Sequence, residues 1–494
     1  MTNNPIRPIA LRANSRAVVL SLAGPVCVLW ALYLILQTGH IWDETEHAHV
    51  AWLMSQGLRP IDDFFQHHQP ILWDLLSLYY RIGLDGAGVL FWGRVLVAVC
   101  GLACVWALAG IARNPVSKDM PFAPLGGGGI FILMTLFLPE LYVSRPETIS
   151  ITCMLYALLL WCRENSPPAH SLIIAGALAG VACYASPRFL AFGGFFLLLG
   201  NHSIRRWALF IGGGLSFLVA YTAVSGFQLE KVAFNIEFSS YLQTVGDRSA
   251  GRPADFWNLL AVAMISAMLP LLFRLNKSER RCGLLLVANL LVVYVVCHRT
   301  AGLFRYTQAY APFLFGVPVV AGWLFARWNP KSPRSLAFGV YALVLLFVAS
   351  VVAAVNIRRP QFQLLEFVRQ KDLLASVIPA GGTVMLFTVK HPITARDASY
   401  YGSPLFDAQD RLCRAVRGFK NGDILRKRCN FLDDVRDARP YLVDTWTDVA
   451  VAEDQLPLLN KLLAEHYEPI RLENAAPLLR EGVMVERSTA LNQE

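Results

Sequence analysis

"IWDETEHAHVAWLMSQGLRPIDDFFQHHQPILWDLL", from Ile41 to Leu76, decides how the chain is read. It follows directly on an apolar run, Ala17 to Leu36, that is long enough to cross a bilayer as a helix. A basic segment with Arg7, Arg12 and Arg16 precedes that run, and no small-residue cleavage site follows it, so it reads as a retained first span. The quoted stretch then crowds acids and four histidines among aromatics just beyond the membrane edge. A hydrophobic chain does not keep such a cluster by composition alone.

The bulk numbers agree with a membrane protein. Of 494 residues, 55% are apolar and 16% charged, and the mean hydropathy is +0.44. Apolar windows recur over about the first 355 positions. They give roughly eleven spans, near 17–36, 88–111, 126–142, 147–162, 170–184, 188–200, 207–226, 256–274, 283–297, 309–326 and 335–355. With the N-terminus in the cytoplasm, the cytoplasmic turns carry Arg113 and Lys118, Arg163, Arg205 and Arg206, the group Arg274 to Arg281, and Arg327 to Arg334. This satisfies the positive-inside rule and accounts for the net charge of +9. No basic stripe interleaved with aromatics points to nucleic acid. The expected fold is a polytopic α-helical membrane domain, 1–358, with a small α/β soluble domain, 359–494, on the outer face. Its apolar runs "GGTVMLF" and "RPYLVDTW" read as strands. Eight of the ten cysteines lie in or beside the spans. Cys413 and Cys429 are the pair in the soluble part, and an oxidising compartment would let them form a disulfide.

Residues 37–87 form the first outer loop, and "ILWDLLSLYYRI" within it suits a helix lying in the interface. Asp43, Glu44 and His47 fall on one side of a helix. The segment "DDFFQHHQP" should bring Asp62, Asp63, His67 and His68 back to them. A carboxylate at the membrane edge can take a proton from a hydroxyl and pass it to water, which makes Asp43 and Glu44 candidate catalytic acids. The histidines could orient those acids or hold a divalent cation; no tight metal motif decides between the two. Trp42, Trp52, Phe64, Phe65 and Trp73 could stack on sugars or anchor at headgroup depth. Arg145, Arg188, Arg299 and Arg305 lie on the outer side, against the charge rule, where a guanidinium fork can bind a phosphate. Glu147 and Tyr306 sit in the same short motifs.

"WDETEHAH" beyond the first helix, "GLRPIDDFFQHHQP", "SRPETISI" and "FRYTQAYAPF" resemble the membrane-embedded GT-C glycosyltransferases. Within these the chain looks like the protein O-mannosyltransferases and the bacterial transferases that add aminoarabinose to lipid A. The resemblance implies a polyprenyl-phosphate sugar donor and inverting transfer on the outer face. It implies Asp43 as base with Glu44 beside it, and Arg145 and Arg305 on the donor phosphate. His47, His67, His68, Glu147, Arg188, Arg299 and Tyr306 complete the expected substrate-binding set. The C-terminal part lacks the lectin-like repeat of the eukaryotic mannosyltransferases, so a glycan or glycolipid acceptor in the cell envelope is expected over a protein, in a bacterial inner membrane. A transporter or flippase would carry charges or helix breaks at mid-membrane and an internal repeat. A ligase joining preassembled glycans, as O-antigen ligases do, is the nearest enzymatic alternative. All of this places Asp43 outside. Membrane-impermeant thiol labelling of single cysteines in 37–87 should therefore react from the outer face of intact cells, and reaction only after permeabilisation would overturn the topology.

Overall fold

The computed structural model describes residues 42–113, 144–162, 167–192, 196, 203–226, 229–245, 364–386, 390–402, 409–419, 429–444, 455–470 and 483–487. The spans expected at 17–36, 126–142 and from 256 to 355 lie outside the described residues, as do Arg299, Arg305 and Tyr306. In the first part, α1 (Trp42–Ser55) and α2 (Ile71–Arg81) precede a 3₁₀ turn, Gly86–Gly88. Then come α3 (Val89–Arg113), α4 (Pro146–Cys162), α5 (Ala169–Ala185), a second 3₁₀ turn at Pro187–Phe192, α6 (Ile204–Ser225) and α7 (Leu229–Val245).

Among the described residues, α6 and the run Gly86–Leu108 are long and apolar enough to cross a membrane; α4 and α5 are shorter apolar helices. On α6, Ile211, Leu215 and Val219 recur every four residues and stay exposed, which suits a face turned to lipid. Its start is capped by Ser203, whose side chain accepts from Arg206 N–H, and its end by Gly226 in the left-handed region, φ 64°. Sequence hydropathy carries a span from 188 to 200. At its start the chain leaves α5 at Ser186, extended before Pro187, and makes a 3₁₀ turn at Pro187–Phe192; apart from Phe196, the rest of that span lies outside the described residues.

Helices α5 and α6 approach closely because glycines face each other. A Cβ on Gly176 would lie 1.8 Å from the Phe210 carbonyl oxygen, and one on Gly213 2.1 Å from that of Ile173. Without a hydrophobic drive between helices in lipid, close backbone contact of this kind supplies the packing.

The C-terminal part contains α8 (Leu364–Ser376), β1 (Thr383–Met385), β2 (Arg396–Asp397), α9 (Gln409–Gly418), α10 (Phe431–Ala438), β3 (Leu442–Asp444), α11 (Leu456–His466), β4 (Tyr467–Pro469) and β5 (Val483–Glu486). The strands form one mixed sheet in the order β2-β1-β3-β5-β4, with β1 parallel to β2 and β3 and the β3-β5-β4 side antiparallel. Cys413 on α9 and Cys429 are joined by a disulfide, buried against Phe65, Phe234 and Phe238. The C-terminal part thus shares a core with the first loop and with α7. Tyr400 tightens that contact: its hydroxyl donates to Ile61 O (2.6 Å), and its carbonyl accepts from Phe65 N–H (2.7 Å).

Gly176→Val should abolish or strongly destabilise folding, since the clash is with backbone and cannot be relieved by a rotamer. Gly212→Val, whose Cβ meets nothing within 4 Å, is the control and should leave the melting temperature of the detergent-solubilised protein nearly unchanged.

Candidate active site

The first turn of α1 carries Asp43 and Glu44, where the partial positive end of the helix favours acids. The two side chains have different surroundings, because adjacent helical residues point about 100° apart. Glu44 faces α3. Its two oxygens accept from Arg94 Nε (2.9 Å) and Nη2 (2.7 Å), and one also accepts from Ser144 N–H (3.1 Å). Both side chains of this pair are 0% exposed. Glu44, expected beside Asp43 as a second catalytic acid, is instead buried in an ion pair with Arg94.

Asp43 keeps 36% of its side chain exposed and pairs with Arg145, which is 7% exposed. Arg145 Nη2 donates to Asp43 Oδ2, and Arg145 Nε lies 3.7 Å from Glu147 Oε2. Pro146 opens α4 directly after Arg145, a position where its missing N–H costs nothing. The arginine is thereby fixed at the outer end of that helix, and the structure brings Asp43, Arg145 and Glu147 together.

One turn along α1, His47 Nδ1 accepts from Trp73 Nε1–H of α2 at 2.9 Å. Burial lowers His47 to about 4, so it is neutral at pH 7 with its proton on Nε2. His67 is lowered to about 4 for the same first reason. The rings of His67 and His68 lie 4.0 Å apart between centroids, and His68 lies 5.6 Å from His47. Glu46 accepts from Gln66 Nε2 at 2.9 Å. Burial, then the neighbouring Asp43 charge, push the Glu46 carboxyl well above its ordinary range. Glu46, His67 and His68 each offer one ligand atom, all within 4.8 Å of one another, and could hold a divalent cation once Glu46 gives up its proton.

Asp62 and Asp63, expected in the same cluster, turn outward. Asp62 pairs with Lys231 of α7, and Asp63 accepts from Arg59 N–H at 2.7 Å. What reaches the cluster from α7 is Asn235, whose Nδ2 donates to His68 O at 2.6 Å. Phe64, Phe65 and Trp73 neither anchor in headgroups nor offer a stacking face, since they are 4%, 0% and 0% exposed and form core. Trp42 has no described side-chain environment, and Trp52 packs at the margin of the same core. Arg188 lies in the second 3₁₀ turn, with its side chain outside the described residues. The sequence reading missed Glu46, Gln66, Asn235 and Arg94. Arg94 had a legible signal: one charge inside a 25-residue apolar helix needs a buried partner.

Because His47 and His67 are lowered from about 6.5, the unfolded chain binds more protons than the folded one between pH 4 and 6.5. Their contribution is full above that window and is lost as pH falls through it, by about 1.4 kcal/mol per pH unit and histidine. Glu46 titrates with the opposite sign, so the measurement is comparative. The His47→Gln/His67→Gln double variant should lose less stability than the wild type between pH 7.5 and 5 in thermal melts; an equal loss would show that neither histidine is held neutral.

No family model matches the chain, and no curated protein matches it. Among solved structures, the chain is similar to ArnT from Cupriavidus metallidurans bound to undecaprenyl phosphate, with a TM-score of 0.54 at 14% identity, over 94% of this chain and 97% of that one. The apo state of the same protein aligns at a TM-score of 0.41 and 12% identity, over 96% and 98% of the two chains. The oligosaccharyltransferase of Archaeoglobus fulgidus, tethered to an acceptor peptide, aligns at 0.44 and 11% identity, over 90% of this chain and 71% of that one. The first of these likenesses shows the fold: the chain shares the fold of ArnT from Cupriavidus metallidurans.

Proposed function

We propose that the protein is a glycosyltransferase that moves a monosaccharide from a polyprenyl-phosphate donor to a hydroxyl of a glycan or glycolipid at the periplasmic face of a bacterial inner membrane. The observation that carries this reading is the half-exposed Asp43 carboxylate paired with Arg145 inside an otherwise buried polar cluster. The fold relative that carries undecaprenyl phosphate supports a lipid-phosphate donor.

The chemistry is a single displacement. The acceptor oxygen attacks the anomeric carbon, the bond from that carbon to the phosphate oxygen breaks, and polyprenyl phosphate leaves as a stable anion. Asp43 takes the acceptor's hydroxyl proton, and water at its exposed edge removes it afterwards. Arg145, beside the base, would face the donor phosphate and stabilise the charge it gains. Glu147 holds Arg145 from its other side. Glu44 serves by fixing the start of α1, not by touching the reacting atoms. A divalent cation, if one is used, would be held by Glu46, His67 and His68 and would supply further positive charge to the leaving phosphate. Arg188, Arg299, Arg305 and Tyr306 remain proposed donor contacts on the strength of the sequence motifs.

Purified protein given a radiolabelled polyprenyl-phosphate sugar should transfer label to a membrane glycan extract. Asp43→Asn should lower the rate by about 10²–10⁴-fold with an unchanged melting temperature. Full transfer by that variant would remove Asp43 from the mechanism.

A further inference from the structure

A second histidine–carboxylate cluster joins α1 to the C-terminal sheet, and it does not belong to the site above. His49 lies two residues beyond His47, about 200° round the helix. Its Nδ1 is 2.7 Å from the carbonyl oxygen of Ile393, and its Nε2 is 2.7 Å from Asp397 Oδ2 on β2. A carbonyl only accepts, so Nδ1 carries a proton. An ionised carboxylate also only accepts, so Nε2 carries one too. Burial works against the Asp397 carboxylate, yet the facing His49 and His391 rings hold it well below the usual carboxylate range, and it is ionised.

The third member, His391, is oriented the other way. Its Nδ1 accepts from Ile393 N–H at 3.1 Å. Burial, with His49 beside it, lowers His391 to about 4, so it is neutral with its single proton on Nε2. That nitrogen lies 3.3 Å from Asp397 Oδ1 without a hydrogen bond. The polarity of these bonds decides against a metal centre, although the three residues offer ligand atoms within 4.8 Å of one another. A metal on His391 Nε2 would require the proton on Nδ1, where it would confront the Ile393 N–H.

Both backbone groups of Ile393 are thus used by the two histidines. The residue sits at φ 65°, a strained position for a β-branched side chain, which persists only where the surroundings enforce it. The charged and titratable groups facing His49 are Asp397 and His391 from the 391–397 segment and Lys371 of α8, whose Nζ donates to the His391 carbonyl. Trp52 stacks on the ring from its own helix, 6.0 Å away.

We propose that His49 is a buried imidazolium locked onto Asp397, a clamp that fastens α1 to the C-terminal sheet through both of its ring nitrogens. The clamp is independent of the proposed reaction, although it holds the helix on which Asp43 sits.

The test uses full-length protein in nanodiscs with ¹⁵N-labelled histidine, and the His49 signals are assigned by their loss in His49→Gln. Two protonated ring nitrogens on His49 at neutral pH, and one in Asp397→Asn, are expected; one bare nitrogen in the wild type overturns the proposal. Hydrogen–deuterium exchange is the second readout and compares peptides 42–55 and 391–397 with the same peptides in Asp397→Asn, which cancels intrinsic pH effects. The wild type should be protected about tenfold over the variant near neutrality; equal protection of both peptides in the two proteins overturns the clamp. Zinc that raises the wild-type melting temperature but not that of Asp397→Asn would replace the clamp with a metal site.

Discussion

Glu44 and Arg94, both without access to solvent, fix where everything else in the outer site can be. An arginine in the apolar helix α3 is tolerable only with a partner, and a fully buried carboxylate is tolerable only with one as well. Removing either leaves an unpaired buried charge, at a cost of about 3–5 kcal/mol. The fork geometry of the guanidinium adds direction to the attraction, since Nε and Nη2 each meet one carboxylate oxygen. The start of α1 is thereby pinned in position and in rotation. Asp43, one residue earlier, is then turned away from α3 and towards the end of α4, where Arg145 waits.

From that constraint the polar residues of α1 distribute themselves around the helix. Glu46 goes to Gln66, His47 to Trp73 of α2, and His49 to Asp397 of the sheet. With Arg94 of α3 and Arg145, five segments thus hold polar side chains around a 14-residue helix whose composition shows no apolar face. Satisfied polar networks of this kind cost little in the folded state and a great deal if half broken. They make α1 rigid for the same reason that they make it intolerant of rotation. Asp43 differs from its neighbours in one respect that matters for chemistry: it alone among these acids keeps substantial exposure within the buried frame.

Much of this was legible in the residues, and the rest was not for identifiable reasons. Hydropathy marked the apolar helices α3 to α6 to within a few residues, because long apolar runs have few alternatives. The motif "WDETEHAH" located the polar cluster, and "SRPE" its arginine. Which of the two adjacent acids would stay exposed could not be read, since that depends on Arg94, fifty positions later, and on the rotation it imposes. Asp62 and Asp63 misled because proximity in the loop said nothing of α7, whose Lys231 draws Asp62 outward. The aromatics misled because a membrane-edge Trp or Phe has the same signature whether it faces lipid or a protein core. Here the C-terminal part covers the loop and turns that face inward, with Tyr401 and the Cys413–Cys429 disulfide packed on the Phe65 side.

The Asp43–Arg145 pair has a further consequence for how such a site could be switched on. In this structure the Asp43 carboxylate is engaged by the Arg145 guanidinium, so an acceptor hydroxyl must share it with the arginine. The same arginine is drawn to any phosphate dianion or diester that enters beside it, and with five donors it can shift its hold without leaving its seat between α1 and Glu147. Under the proposed reaction the donor phosphate would weaken Arg145's grip on Asp43 at the moment the acceptor hydroxyl needs a base. Coupling the release of Asp43 to donor binding in this way would favour transfer to the acceptor over hydrolysis, using only two side chains already in contact.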